Sequence, residues 1–121
     1  MVKALFDTNI ILDFIKGIDA SRLELGRYED RAISIVTVIE VLVGTTPQTE
    51  ATERALLARF SVVPLDTDVA ETAASLRRSH RMKLPDAIIW ASARTQDRLL
   101  VSRNTKDFPA NDPSVRHPYR V

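Results

Sequence analysis

A chain of 121 residues with 45% hydrophobic and 27% charged side chains can bury one sizeable core and has no room for a second, so residues 1–121 are expected to form a single domain. The absence of cysteine excludes a disulfide framework, a thiolate metal site and a cysteine nucleophile, which leaves carboxylates and carbonyls to hold any metal. The net charge of +1 hides an asymmetry: ten of the 17 Lys and Arg residues follow Leu76, opposed there only by Asp86, Asp97, Asp107 and Asp112, a split that suits a nucleic-acid surface or a solvated face with a basic tail.

In chain order, Val2–Phe6 reads as a first strand, apolar without alternation and so buried on both faces. Asp7-Thr8-Asn9 follows abruptly, and then Ile10, Ile11, Phe14, Ile15 and Ile18 recur at helical spacing up to Gly17, with Asp13 and Lys16 expected to face outward. A weaker helix spans Ser21–Tyr28. Ala32–Val36 is a β-branched strand, after which Thr37 is a plausible cap for a helical segment through Val43 that ends at Gly44. Thr46 followed by Pro47 predicts the next helix start, and that helix runs to Phe60. Val62–Leu65 is a short third strand whose proline marks an edge or an end. Thr67 or Asp68 caps a small-residue helix through Leu76, and Leu84-Pro85-Asp86 opens another. Leu99–Val101 is a fourth strand ending in Ser102-Arg103-Asn104, and Ser114–Arg116 a candidate edge strand. Strands alternating with helices predict an α/β three-layer sandwich around a mostly parallel sheet.

Four acids stand out against this frame. Asp7 sits where a buried strand hands over to a helix, and an unpaired charge there needs a cation, a donor or a metal. Glu40 has only Val36, Thr37, Val43 and Gly44 as helical neighbours, so no counter-charge lies beside it. Asp86 falls in a first helical turn, where the dipole favours an anion whether or not it binds a ligand. Asn104 and Asp107 follow the fourth strand, where turn residues are also common. A parallel sheet brings the ends of its strands to one edge, so these acids converge there and repel unless a divalent cation joins them. All-oxygen ligation points to Mg²⁺ or Mn²⁺, and such an ion can activate water and stabilise a phosphodiester transition state.

These motifs, Asp7-Thr8-Asn9, Val38-Ile39-Glu40-Val41, Leu84-Pro85-Asp86-Ala87 and Val101–Phe108, in this order and spacing, resemble the PIN-domain ribonucleases, and more narrowly the VapC-type toxins of bacterial toxin–antitoxin pairs. The resemblance covers nearly the whole chain. It implies that Asp7, Glu40 and Asp86 are acidic metal ligands, that Thr8 or Ser102 supplies a hydroxyl, and that Asn9 helps hold the loop. Members of the family often carry an acid where this chain has Asn104, so Asp107 is favoured as the fourth ligand with Asn104 as a neutral aid. The implied reaction is metal-dependent endonucleolytic cleavage of structured RNA, with tRNA the expected class. It also implies a homodimer and a VapB-like antitoxin whose C-terminal segment inserts near the metal site. Arg77, Arg78, Arg81, Lys83, Arg103 and Lys106 are candidates for RNA phosphates, and a solvated face explains each equally well. Trp90 is expected in the core, and His80 and His117 at the surface.

Two rivals remain. A phosphatase of the haloacid dehalogenase type also places Asp after its first strand but uses a second Asp two residues on, where this chain has Asn9. A non-catalytic receiver-like or RNA-binding module would keep the acidic pocket without the reaction. No stretch approaches the roughly 20 apolar residues that span a bilayer. The N-terminus has no secretory signature, and a reducing cytoplasm is the expected setting.

Overall fold

Alternating apolar segments resolve into five strands and six helices in the computed structural model, which describes all 121 residues. The order is β1 (Lys3–Phe6), α1 (Thr8–Ile15), α2 (Asp19–Leu25), β2 (Asp30–Ser34), α3 (Ile35–Val43), α4 (Glu50–Leu57), β3 (Ser61–Val63), α5 (Thr67–His80), α6 (Leu84–Arg94), β4 (Leu99–Val101) and β5 (Val115–Arg116). The sheet order is β3-β2-β1-β4-β5, and every neighbouring pair is parallel. The expected α/β sandwich is therefore present, with a sheet that is wholly parallel. No helix is long and apolar enough to cross a membrane.

The period of two along each strand divides the core between the two faces of the sheet. On β1, Leu5 joins one apolar cluster with Ala73 and Leu76 of α5 and Ile89 and Trp90 of α6. Ala4 and Phe6 join the other, with Ile10 and Ile11 of α1, Leu25 of α2, and Leu56 and Leu57 of α4. Because β1 is central and covered on both sides, all three of these side chains are fully buried. That is why its sequence shows no alternation.

Several element boundaries differ from the sequence expectation for local reasons. Helix α3 starts at Ile35, because the Ser34 hydroxyl accepts the Val36 N–H at 3.0 Å and takes the capping role assigned to Thr37. Thr37 lies inside that helix, fully buried. Pro47 initiates a turn closed by Thr46 and Thr49 (Thr49 N–H to Thr46 O, 3.0 Å), so α4 begins at Glu50. Helix α5 is capped by Asp66, which accepts from Val69 N–H at 2.9 Å, and not by Thr67 or Asp68.

The largest departure is Asp13. It is 1% exposed, because it shares a helix face with Ile10 and its charge is met by Arg103 ninety positions away. The guanidinium donates to both carboxylate oxygens, at 2.6 and 3.1 Å, and Tyr119 adds a hydroxyl at 2.8 Å. Glu24 is buried in the same manner: Arg116 donates to both its oxygens at 2.7 and 3.1 Å, and Tyr28 adds a hydroxyl at 2.9 Å. Burial alone would raise the Glu24 pKa, but the hydrogen bonds from Arg116 and Tyr28 outweigh it and hold it below the usual glutamate value.

A depressed acid stabilises the fold above its unfolded-state pKa, 4.5 here, and loses that contribution as pH falls through the folded value. Glu24→Ala strands Arg116 and is expected to cost about 3 kcal/mol in urea unfolding at pH 7, the low end for a buried pair because Arg116 is 35% exposed. Glu24→Gln should cost less, and its deficit against the wild type should close as pH falls below 4.5.

Candidate active site

β1 passes into α1 through a single residue, Asp7, which ends the central strand and caps the helix. Its backbone N–H still belongs to the sheet, donating to Val101 O of β4 at 2.9 Å. Its side chain is 4% exposed. One carboxylate oxygen accepts the Thr8 N–H at 2.7 Å, and the other accepts the Ser102 hydroxyl at 2.6 Å and the Asn9 amide at 3.2 Å. Burial still dominates: with Glu40 adding repulsion, it pushes the Asp7 pKa up against the pull of Ser102, Thr8 and Arg103.

Glu40, exposed on α3, accepts the Thr8 hydroxyl at 2.7 Å, and Thr37 lies 2.9 Å from that same hydroxyl. The two hydroxyls proposed from sequence thus have separate tasks, Ser102 holding Asp7 and Thr8 holding Glu40. Asp86 occupies the first turn of α6 and is half-buried. Its pKa rises to about 6, first through burial, then through the charges of Asp7 and Asp107, contact with Asp107, and the charge of Glu40. Asp86 therefore lies within the field of the other three acids at the C-terminal edge of the sheet, and none of the four makes an ion pair within 4 Å.

The loop after β4 is internally braced. Asn104 uses both ends of its amide: the nitrogen donates to Asp107 Oδ2 at 2.9 Å, and the oxygen accepts the Asp107 N–H at 3.0 Å and the Lys106 N–H at 3.1 Å. The Ser102 hydroxyl accepts the Asn104 N–H at 3.0 Å, which ties this brace to Asp7. Asn9 completes the ring by accepting the Arg103 N–H at 3.3 Å.

The donor chemistry fits a hard divalent cation: oxygen ligands only, excess negative charge, and pKa values of the Asp7 and Asp86 carboxyls raised first by burial and then by neighbouring acids. No three acidic side chains converge closely enough to enclose one ion by themselves. That suits an ion such as Mg²⁺, which binds through one or two carboxylates and keeps several waters or substrate oxygens.

Arg77, Arg78, Arg81 and Lys83 are exposed at the end of α5 and in the connector leading to Asp86. Arg81 adopts a left-handed backbone (φ 53°), and Arg77 donates to Met82 O at 3.3 Å, so the connector has a defined path. Lys106 is exposed on the site loop. Arg103 differs from the sequence expectation, since its guanidinium is engaged by Asp13. Trp90 is buried as expected, edge-on to His80 and Phe108. His80 is exposed, whereas His117 is half-buried and bonded to two backbone carbonyls. Sequence reading missed Asp13, Thr37, His117 and Tyr119. The only available signal was an acid on the apolar face of α1, three residues after Ile10.

Comparison with known proteins agrees with this architecture. The PIN domain family model matches residues 4–112. Ribonuclease VapC10 of Mycobacterium tuberculosis is 31% identical over 125 residues, covering 97% of this chain and 93% of that protein. Among solved structures, a toxin-antitoxin complex from Klebsiella pneumoniae contains a chain 40% identical with a TM-score of 0.93, covering 98% of this chain and all of that one. The DNA-bound VapBC of Salmonella typhimurium shares the fold at 21% identity and a TM-score of 0.79, covering 96% of both chains. By motif order, architecture and near-complete sequence coverage, this chain belongs to the PIN-domain family, in its VapC branch.

Proposed function

We propose that residues 1–121 act as one PIN domain, a Mg²⁺- or Mn²⁺-dependent endoribonuclease that serves as the toxin of a toxin–antitoxin pair in the cytoplasm. The observation that carries this reading is the grouping of Asp7, Glu40 and Asp107 around Asp86 at one sheet edge, with none of the four in an ion pair. Membership of the VapC branch supports ribonuclease activity. The haloacid dehalogenase reading lacks its general acid, because residue 9 is an amide, and Asn9 is instead bonded to Asp7 and to the Arg103 N–H.

In this reading Asp7 and Asp86 are the principal ligands, with Glu40 and Asp107 completing the set directly or through water. The bound ion would supply an activated water and charge stabilisation at the phosphodiester. The residues of the chain do the rest. Ser102, Thr8 and Asn9 fix the direction of Asp7 and Glu40, and Asn104 fixes Asp107. Arg77, Arg78, Arg81, Lys83 and Lys106 hold RNA phosphates, and their spread over the end of α5, the connector and the site loop suits a structured substrate such as tRNA.

A VapB-like antitoxin and a second copy of the chain are the proposed partners. The likeness to the toxin-antitoxin complex from Klebsiella pneumoniae supports the first. Exposed apolar side chains on the neighbouring helices α1 and α3 (Leu12, Ile15, Ile39 and Val43) supply surface for protein contact.

The antitoxin-free protein is expected to cut structured RNA with Mn²⁺ or Mg²⁺ and to stop on addition of EDTA; failure to cut any structured RNA overturns the proposal. Asp7→Asn should lower cleavage at least about 100-fold while circular dichroism shows an intact fold, since the change removes a charge-balancing ligand and relieves burial of a charge. Asp107→Ala should be far more damaging to cleavage than Asn104→Ala; equal and small losses would remove both from the metal site. For stability, a raised acid favours the fold below its unfolded pKa and loses that contribution as pH rises from 3.8 through about 6. In EDTA, Asp86→Asn should therefore melt higher than wild type at pH 7.5, with the gap closing near pH 4, and Mn²⁺ should stabilise only the wild type. A gap independent of pH would show that Asp86 carries no such strain.

A further inference from the structure

The segment following β5 makes contacts that the reaction as described does not use. His117 lies against the back of the site loop, its Nδ1 2.7 Å from Ser102 O and its Nε2 3.0 Å from Phe108 O. Both ring nitrogens therefore lie within hydrogen-bond distance of a backbone carbonyl, and the ring spans the two. Ser102 and Phe108 are the two ends of the loop that carries Asn104 and Asp107. One side chain therefore sets the distance between the ends of that loop.

Two residues further on, Tyr119 donates to Asp13, whose carboxylate grips both arms of the Arg103 fork. The Arg103 N–H in turn donates to Asn9, and Asn9 to Asp7. A connected path of hydrogen bonds thus runs from Tyr119 to the buried carboxylate, through Asp13, which is buried, and Arg103 and Asn9, which are half-buried. The same segment is moored at its start by the pair between Arg116 and Glu24.

We propose that His117–Tyr119 is a positioning strap for the active site, with His117 clasping the Ser102–Phe108 loop and Tyr119 fixing Asn9 and Arg103 through Asp13. The inference rests on the nuclease reading above for its consequence. The clasp itself is a property of the loop. An error of about 1 Å in placing a reacting group can cost about a hundredfold in rate, so a loop held at both ends from behind serves turnover more than affinity. His117, Asp13 and Tyr119 are positioning residues and touch neither substrate nor the carboxylates that would hold the ion.

The test uses the full chain with His117→Asn, which keeps a donor near the place of Nδ1, His117→Gln, which keeps one near Nε2, and Tyr119→Phe. Amide exchange at Asn104–Phe108 should quicken at least tenfold in both His117 variants while the core amides of α6 keep their wild-type rate, and kcat should fall about tenfold with KM within about twofold. Tyr119→Phe should lower kcat severalfold, again with KM held. Unchanged loop exchange overturns the clasp. Faster loop exchange with unchanged kcat overturns the positioning role, as does a rise in KM alone. Should the His117 variants lose core protection as well, Tyr119→Phe decides by the same split. If the wild type cuts no RNA, the nuclease reading falls, and the strap is judged on Mn²⁺ titration of the same variants: weaker binding than wild type supports it, and equal or absent binding overturns it.

Discussion

Asp7 is nearly dry, and the surrounding structure is arranged to tolerate it. It receives three hydrogen bonds, from the helix it caps, from Asn9 two residues on, and from Ser102 across the sheet, yet burial still outweighs them in setting its pKa. Leaving a carboxylate in that state costs stability, and the usual remedy is a facing cation. Here the facing groups are other acids, so the edge of the sheet carries strain that a bound divalent ion would relieve. Strain of this kind concentrates at functional sites because the rest of the molecule is stable enough to bear it.

Comparison with the other buried acids makes the point sharper. Asp13 and Glu24 are as buried as Asp7, and each is met by a bidentate arginine and a tyrosine hydroxyl. The fold thus has a working solution for a buried carboxylate and uses it twice. It withholds that solution from Asp7, Glu40, Asp86 and Asp107. Arg103 illustrates the division: it follows directly on Ser102, yet its guanidinium is bonded to Asp13, and it reaches Asp7 only as a charge at a distance and through its backbone N–H on Asn9.

Local and short-range features were legible in the sequence. The unbroken apolar run of β1 announced a strand covered on both faces, and the Leu84-Pro85 helix start placed Asp86 in a first turn, as observed. Asp7 and Glu40 drew notice one by one, because each breaks an apolar pattern, whereas Asp86 and Asp107 stand where acids are ordinary and stood out only by the order of the motifs. Pairings made over long separations were not legible. Asp13 reads as a solvent-facing helix residue until Arg103 and Tyr119 arrive from 90 and 106 positions away. His117 looked like a surface residue in a polar tail, since nothing local shows that two carbonyls lie behind it. Cap positions slipped for a smaller reason: where Ser34 competes with Thr37, and Asp66 with Thr67 and Asp68, composition offers several suitable oxygens and geometry selects one.

The sheet order also has a bearing on synthesis. β1 is central, and its partner β4 is the fourth strand in the chain, so Asp7 meets Ser102 only when residues 95 positions apart are both available. A parallel sheet cannot close such a pairing from local contacts. On the ribosome, Asp7 emerges early and waits without its hydroxyl partner, its loop brace or the mooring of Tyr119 until the fourth and fifth strands have followed. A growing chain therefore carries an unassembled acidic edge until β4 and the loop after it have been made.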